Sequence, residues 1–173
     1  MAKKYPKTLS SGANNTVIAL SESEAGKLFF NDTRSDIGSE AEKMKFANAV
    51  NGLVVKFLRL DLLPDVTEVL VMERLYPIDF RAFEFERRQL IFEVFEDELL
   101  QLHSSGFVHR DIRRPSDMPG FSFDNIFLTD KGIRLIDVGI SALRSQVGDK
   151  LFDKFVEQEI IELKAFETFF INR

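Results

Sequence analysis

Three oxygen-bearing side chains, Asp111, Asn125 and Asp137, mark the segment from Phe107 to Gly139 as the part of this chain that could do chemistry. They occur as His109-Arg110-Asp111, then Asp124-Asn125-Ile126-Phe127-Leu128, then Leu135-Ile136-Asp137-Val138-Gly139. Carboxylate and carboxamide oxygens are hard ligands suited to Mg²⁺, and a further carboxylate beside them can orient a hydroxyl nucleophile. The three are offered from the end of a helix and the starts of two strands, on loops able to converge on one site.

Those loops need elements to hold them. Phe80 to Ser104 carries the strongest helical pattern, with Leu90, Val94, Phe95, Leu99 and Leu102 at helical spacing, and Gly106 ends it. Phe107-Val108 follows, then an irregular stretch with Pro115, Pro119 and Gly120. Two short strands, 126–128 and 133–136, are joined by a polar turn ending at Gly132. From Asp149 to Ile171 a second amphipathic helix is predicted, with Phe152, Val156, Ile160, Leu163 and Phe166 on one side.

Upstream, Thr16 to Leu20 and Lys27 to Phe30 read as strands on either side of a polar break. Ser35 to Asn51 reads as a helix: Asp36, Glu40 and Glu42 fall early, and Ala41, Met44 and Ala47 or Asn48 recur at three- and four-residue spacing before Gly52. Leu53 to Leu63 and Thr67 to Leu75 are two further strands flanking the turn-forming pair Pro64-Asp65.

Composition narrows the function classes. At 173 residues and 19.9 kDa the chain fits one domain, or two small lobes sharing a cleft. A net charge of -5 disfavours the phosphate attraction on which nucleic-acid binders rely, so no direct nucleic-acid partner is expected. Without cysteine there is no disulfide framework and no thiolate ligand or nucleophile. Eighteen Phe and no Trp point to a core filled with rings that need no hydrogen-bond partner. The N-terminus lacks a signal-peptide apolar core and no apolar run reaches membrane-spanning length, so a soluble protein of cytosolic type is expected.

The ordered motifs resemble the catalytic signature of the protein-kinase-like superfamily: HRD, an Asn before an apolar strand, a turn, a second apolar strand and a DFG-like triplet. The resemblance implies a two-lobed α+β fold, with a small antiparallel sheet in an N-lobe (1–75), a hinge near Glu73 and a truncated helical C-lobe (76–173). It implies ATP between the lobes, Asp111 as the aspartate that positions the acceptor hydroxyl, and Mg²⁺ held by Asn125 and Asp137. Arg113 would face the transferred phosphate, and Arg110 stands where the family often answers a phosphorylated activation loop. In the N-terminal half, Leu9 to Val17 resembles a degenerate glycine-rich loop keeping only Gly12, and Ala25 to Phe29 resembles the strand bearing the ATP-contacting lysine, here Lys27. Glu40 is the carboxylate implied to pair with it, with Glu42 as the alternative. Met72, Glu73 and Leu75 resemble the strand end and hinge whose backbone groups meet adenine.

Two departures shape the expectation. Asn125 follows Asp111 by fourteen positions where the family usually has five, which places an insertion around Pro115 to Phe121. The residues after Gly139 contain no APE-like motif and too little sequence for the usual activation segment and peptide-docking subdomain. Such brevity resembles small atypical kinases, including the one of the KEOPS tRNA-modification complex, and truncated bacterial effector kinases of the OspG type. The expected activity is a minimal serine/threonine protein kinase using ATP and Mg²⁺, acting on a protein substrate, open to activation by a partner protein, and cytoplasmic or delivered into a host cytosol. A kinase of small molecules and a pseudokinase interaction module are the alternatives on the same fold.

Overall fold

The structure, a computed structural model, describes residues 4–11, 15–29, 36–115, 117 and 120–172. Its first part is a five-stranded antiparallel sheet in the order β1-β2-β3-β5-β4, formed by β1 (Lys7–Ser11), β2 (Asn15–Ala19), β3 (Glu24–Phe29), β4 (Phe57–Leu62) and β5 (Glu68–Glu73). Strand β3 lies between β2 and β5, with Lys27 opposite Val17 and Leu70. Gly26 is required there: a Cβ would stand 2.6 Å from the Val69 side chain, closer than packed atoms come. The stretch from Leu9 to Val17 is the β1–β2 pair, Ser11 facing Thr16; Gly12 itself lies outside the described residues.

Helix α1 (Ile37–Val50) crosses beside the sheet. Asp36 caps it by accepting the Ser39 N–H at 2.7 Å. Its buried face, Glu40, Ala41, Lys43, Met44 and Ala47, mixes two charged residues with three apolar ones. Asn48 then fastens the helix to the chain beyond it, donating to Val54 and Val55 carbonyls and accepting the Phe57 N–H at 2.8 Å. Because Leu53 to Val55 bridge to Leu135, strand β4 begins only at Phe57 instead of at Leu53 as the apolar run suggests.

The helical part is built on α2 (Phe85–Ser105) and α4 (Asp149–Ile171), with the short α3 (Arg144–Val147) before the latter. Helix α2 starts five residues after the expected Phe80 because Asp79 organises a turn, its side chain accepting the Arg81 N–H and its carbonyl the Ala82 N–H. Its buried stripe is Phe92, Phe95, Leu99, Leu102 and His103, whereas Leu90 and Val94 are 63% and 57% exposed. Two positions along a helix turn about 200°, so choosing Phe92 for the core sends both of those outward. Gly106 ends the helix with φ 100°, a left-handed conformation that favours glycine.

Between α2 and α3 run β6 (Phe107–Val108), the hairpin β7 (Ile126–Thr129) and β8 (Gly132–Leu135), and β9 (Ala142–Leu143), which pairs with β6. The many phenylalanines meet around Phe166 of α4, fully buried, whose ring lies 5.2–6.4 Å from those of Phe80, Phe92, Phe95, Phe123, Phe169 and Phe170. No helix among the described residues is long and apolar enough to cross a membrane.

Because six rings depend on one, Phe166→Ala should destabilise the fold by about 3–5 kcal/mol, read as a lower midpoint in urea unfolding at unchanged slope.

Candidate active site

The register of the β7–β8 hairpin brings two of the three oxygen-bearing residues together. Ile126 pairs with Leu135, so Asn125 and Ile136 are the next pair outward, joined by the Ile136 N–H to the Asn125 carbonyl at 3.0 Å. Asp137 follows directly. The hairpin is closed at its far end by Thr129, whose hydroxyl donates to Gly132 O at 2.8 Å and accepts the Lys131 N–H. Eleven intervening residues thus become a short distance in space.

Asp111 reaches the same place from β6. The Asn125 amide spends both hydrogens on it, donating to its backbone carbonyl at 2.9 Å and to Oδ2 at 3.0 Å. His109, fully buried, ties the loop to the hairpin from beneath: its Nδ1 accepts the Asp111 N–H, so Nε2 carries the proton and donates to Ile136 O at 2.8 Å. The insertion after Asp111 is closed by Arg114, whose N–H donates to Ser122 O and whose guanidinium pairs with Asp124.

From the sheet, Lys27 completes the cluster. Its side chain is 5% exposed, and its ammonium contacts Glu40 Oε1 at 2.7 Å and Asp137 Oδ1 at 3.0 Å. Burial by itself would lower the Lys27 pKa, but the charges and hydrogen bonds of Glu40 and Asp137 outweigh it and hold the group above the usual lysine range. The converse applies at Asp137. Burial pushes its carboxyl up, and Lys27 more than reverses this, leaving it below the usual carboxylate range. Asp111 goes the other way: burial and the neighbouring Asp137 charge raise it against the opposing pull of His109, Asn125 and Arg114. Asp137 and Arg110 both hold left-handed backbone, φ 56° and 70°, a conformation that costs a non-glycine residue of order 1–3 kcal/mol and concentrates at functional sites.

The cluster therefore contains Lys27, Glu40, Asp111, Asn125 and Asp137, all named from sequence, and decides between the two glutamates: Glu42 is exposed while Glu40 is buried against Lys27. Met72 is the next-to-last residue of β5, opposite Ala25. Arg113 is exposed, near enough for its charge to act on Glu162. The Glu73 and Arg74 amides are already spent on Lys56 O and Ser23 O, both at 2.9 Å, and the Glu73 side chain holds the Lys56 N–H and Arg134. Among the described residues, Leu75 alone of these three keeps an N–H without a protein acceptor. Arg110 is likewise engaged: its guanidinium donates to Ile140 O at 3.2 Å and lies 3.7 Å from the centre of the Phe155 ring.

Two carboxyl groups escaped the sequence reading, both on α4. Glu159, fully buried, accepts the His109 N–H at 3.2 Å, the Arg110 N–H at 2.6 Å and a 2.9 Å bond with His103 Nε2, so it sets the backbone just before Asp111. The signal was an acidic residue lying seven positions from Phe152 and four from Leu163, on the apolar face of its helix. Glu162, one turn on, is held by Gln158 through Oε1, while Oε2 is buried with no partner among the described residues. Burial, with the Glu159 and Asp111 charges, pushes its pKa up to about 7.

No protein-family model matches the sequence, and no curated protein matches it either. Solved structures do resemble it. A kinase from Legionella pneumophila, Lpg2603 bound to IP6, superposes with a TM-score of 0.63 at 18% identity over 95% of this chain. The kinase PK-1 of Cydia pomonella granulovirus gives 0.56 at 16% identity over 79%. The alignments cover 58% and 53% of those two proteins, so the chain spans a little over half their length. The fold is protein-kinase-like, an α+β arrangement with the sheet in the first part and helices in the second.

Two outcomes follow. Glu159→Ala leaves two loop amides without their acceptor and should cost about 1–3 kcal/mol for each, seen as a lower melting temperature. Glu162 has a folded pKa of about 7 against 4.5, so the folded protein binds its proton more tightly than the unfolded one. Stability should therefore be greatest below pH 4.5 as far as this group is concerned and decline as pH rises through 7; Glu162→Gln should flatten that part of a melting-temperature profile.

Proposed function

We propose that this chain is an ATP- and Mg²⁺-dependent phosphotransferase, a minimal serine/threonine protein kinase. The observation that carries the reading is the pair of groups Glu40–Lys27–Asp137 and Asn125–Asp111, brought together by the Ile136 N–H bond to Asn125 O, which gathers a cation and four oxygen-bearing side chains from five separate elements.

The donor set suits Mg²⁺. Asn125 Oδ1 stays available once both amide hydrogens are on Asp111, and Asp137 keeps 38% of its side chain exposed. Asp137 and Asn125 are the proposed ligands, and the ion supplies charge neutralisation at the phosphate oxygens.

Lys27 is proposed to meet the ATP phosphates, held in place by Glu40, while Leu75 offers its N–H to the adenine edge and Met72 borders the ring. Gly12, as the remaining loop glycine, belongs to the same reading. Asp111 accepts a hydrogen bond from the attacking hydroxyl and sets its approach; its raised pKa favours taking up the proton as the new bond forms. Arg113, exposed two residues beyond Asp111, is the proposed contact to the transferred group. Catalysis on this scheme is positioning and charge complementarity, since phosphoryl transfer asks little covalent chemistry of the protein. The proposed acceptor is a Ser or Thr hydroxyl of a protein, with an activating partner as a further proposal.

Purified protein should gain thermal stability with ATP plus Mg²⁺ in proportion to the logarithm of ligand concentration, and Asp137→Ala should remove the magnesium-dependent part. With radiolabelled ATP, a generic protein substrate should be labelled and Asp111→Asn should slow labelling by about a hundredfold or more. Binding without transfer, with or without candidate partners, would turn the assignment to an interaction module; label on small hydroxylated compounds but not on proteins would turn it to a metabolite kinase.

A further inference from the structure

Lys43 sits one turn beyond Glu40 on the buried face of α1, with 9% of its surface exposed. Its ammonium donates to the carbonyl oxygen of Gly139 at 3.0 Å, and no described carboxylate lies within ion-pairing distance. A buried cation facing a neutral carbonyl is costly, and burial together with the Arg110 charge lowers its pKa against the weaker support of Glu40 and Asp36. Core packing alone would be better served by an apolar side chain.

What the bond holds is the segment directly after Asp137. The Gly139 N–H points back to Asp137 Oδ1 at 3.4 Å, so the two ends of this residue join Lys43 to the carboxyl already engaged by Lys27. The following residues are fastened as well: Arg110 donates to Ile140 O, and Ser141 bonds through its N–H to Val138 O and through its hydroxyl to His109 O. Each residue from Gly139 to Ser141 is thus fixed by a group within the chain, two of those groups being cations.

We infer that Lys43 is a positioning residue: by gripping Gly139 it holds the strained Asp137 turn in the conformation that presents its carboxyl to a metal-bound nucleotide, so the turn is set by internal cations with no phosphate added to the chain. The inference rests on the ATP and Mg²⁺ reading of the site. A plain structural tie between α1 and the second part of the fold would leave metal use untouched.

The experiment compares wild type, Lys43→Met and Lys43→Arg, after treatment with a protein phosphatase, by following ATP binding as Mg²⁺ is titrated and again in EDTA. Lys43→Met should raise the Mg²⁺ concentration for half-maximal binding about tenfold, the weight of one charged hydrogen bond, while metal-free ATP affinity stays within about twofold. Lys43→Arg, which keeps a donor of similar reach, should recover most of the difference, and the phosphatase-treated wild type should match the untreated one. A Lys43→Met protein that melts lower but takes Mg²⁺ as wild type does would reduce the residue to a structural tie. Loss of binding on dephosphorylation would overturn the claim that internal cations suffice. Should Lys43→Met fail to fold, Lys43→Gln carries the same comparison. Absence of Mg²⁺-dependent ATP binding in untreated wild type would remove the functional reading first and this inference with it.

Discussion

An ammonium group enclosed between two carboxyl groups is the interaction around which the rest of the molecule is arranged. Lys27 belongs to the sheet, Glu40 to α1 and Asp137 to the turn after β8, so one nitrogen ties three pieces that share no local sequence. Buried charges of this kind gain little net stability, because desolvation offsets much of the attraction; their weight shows when a partner is lost, at about 3–5 kcal/mol for an uncompensated charge. That asymmetry makes the trio a device for specifying geometry. It requires the sheet and hairpin to approach closely, and the bridge between Val54 and Leu135, with Asn48 behind it, supplies the backbone contact that keeps them there.

Support comes from the opposite side through α4. Its apolar face builds the phenylalanine cluster, and the same face carries Glu159 under the His109-Arg110 backbone. Core and site are therefore not separable in this fold. The helix that gives the second part its stability also dictates the path of the Asp111 loop: the Arg110 N–H, at a residue with strained φ, donates to Glu159 of α4, while Lys43 of α1 bonds Gly139, two residues beyond Asp137.

How much of this was legible in the sequence depended on whether a residue's role follows from its neighbours along the chain. Asp111, Asn125 and Asp137 could be read because each sits in a short motif beside an apolar strand or helix end, and the hairpin that joins two of them is announced by its polar turn. Lys27 and Glu40 followed once the sheet-helix order was seen. The start of α2 was misplaced because Phe80 and Phe83 continue the apolar period while Asp79 closes a turn that periodicity does not register. The hinge amides at Glu73 and Arg74 were beyond reach for a different reason: their acceptors, Lys56 and Ser23, come from other segments, and only three-dimensional pairing shows that they are taken. Glu159 and Lys43 left a fainter trace, charged residues at positions that helical spacing assigns to the interior.

The dependence of the Asp111 loop on Glu159 has a bearing on how this protein comes into being. A ribosome releases the sheet, α1 and the motif residues well before it releases α4, and domains made this way acquire structure as their segments emerge. Until the last long helix is out, the His109 and Arg110 amides have no carboxyl to fasten on, and the turn they belong to has no reason to hold its unusual backbone. Assembly of the site is thereby deferred until α4 has emerged, and a chain cut short before that helix would retain every motif residue while lacking the means to arrange them.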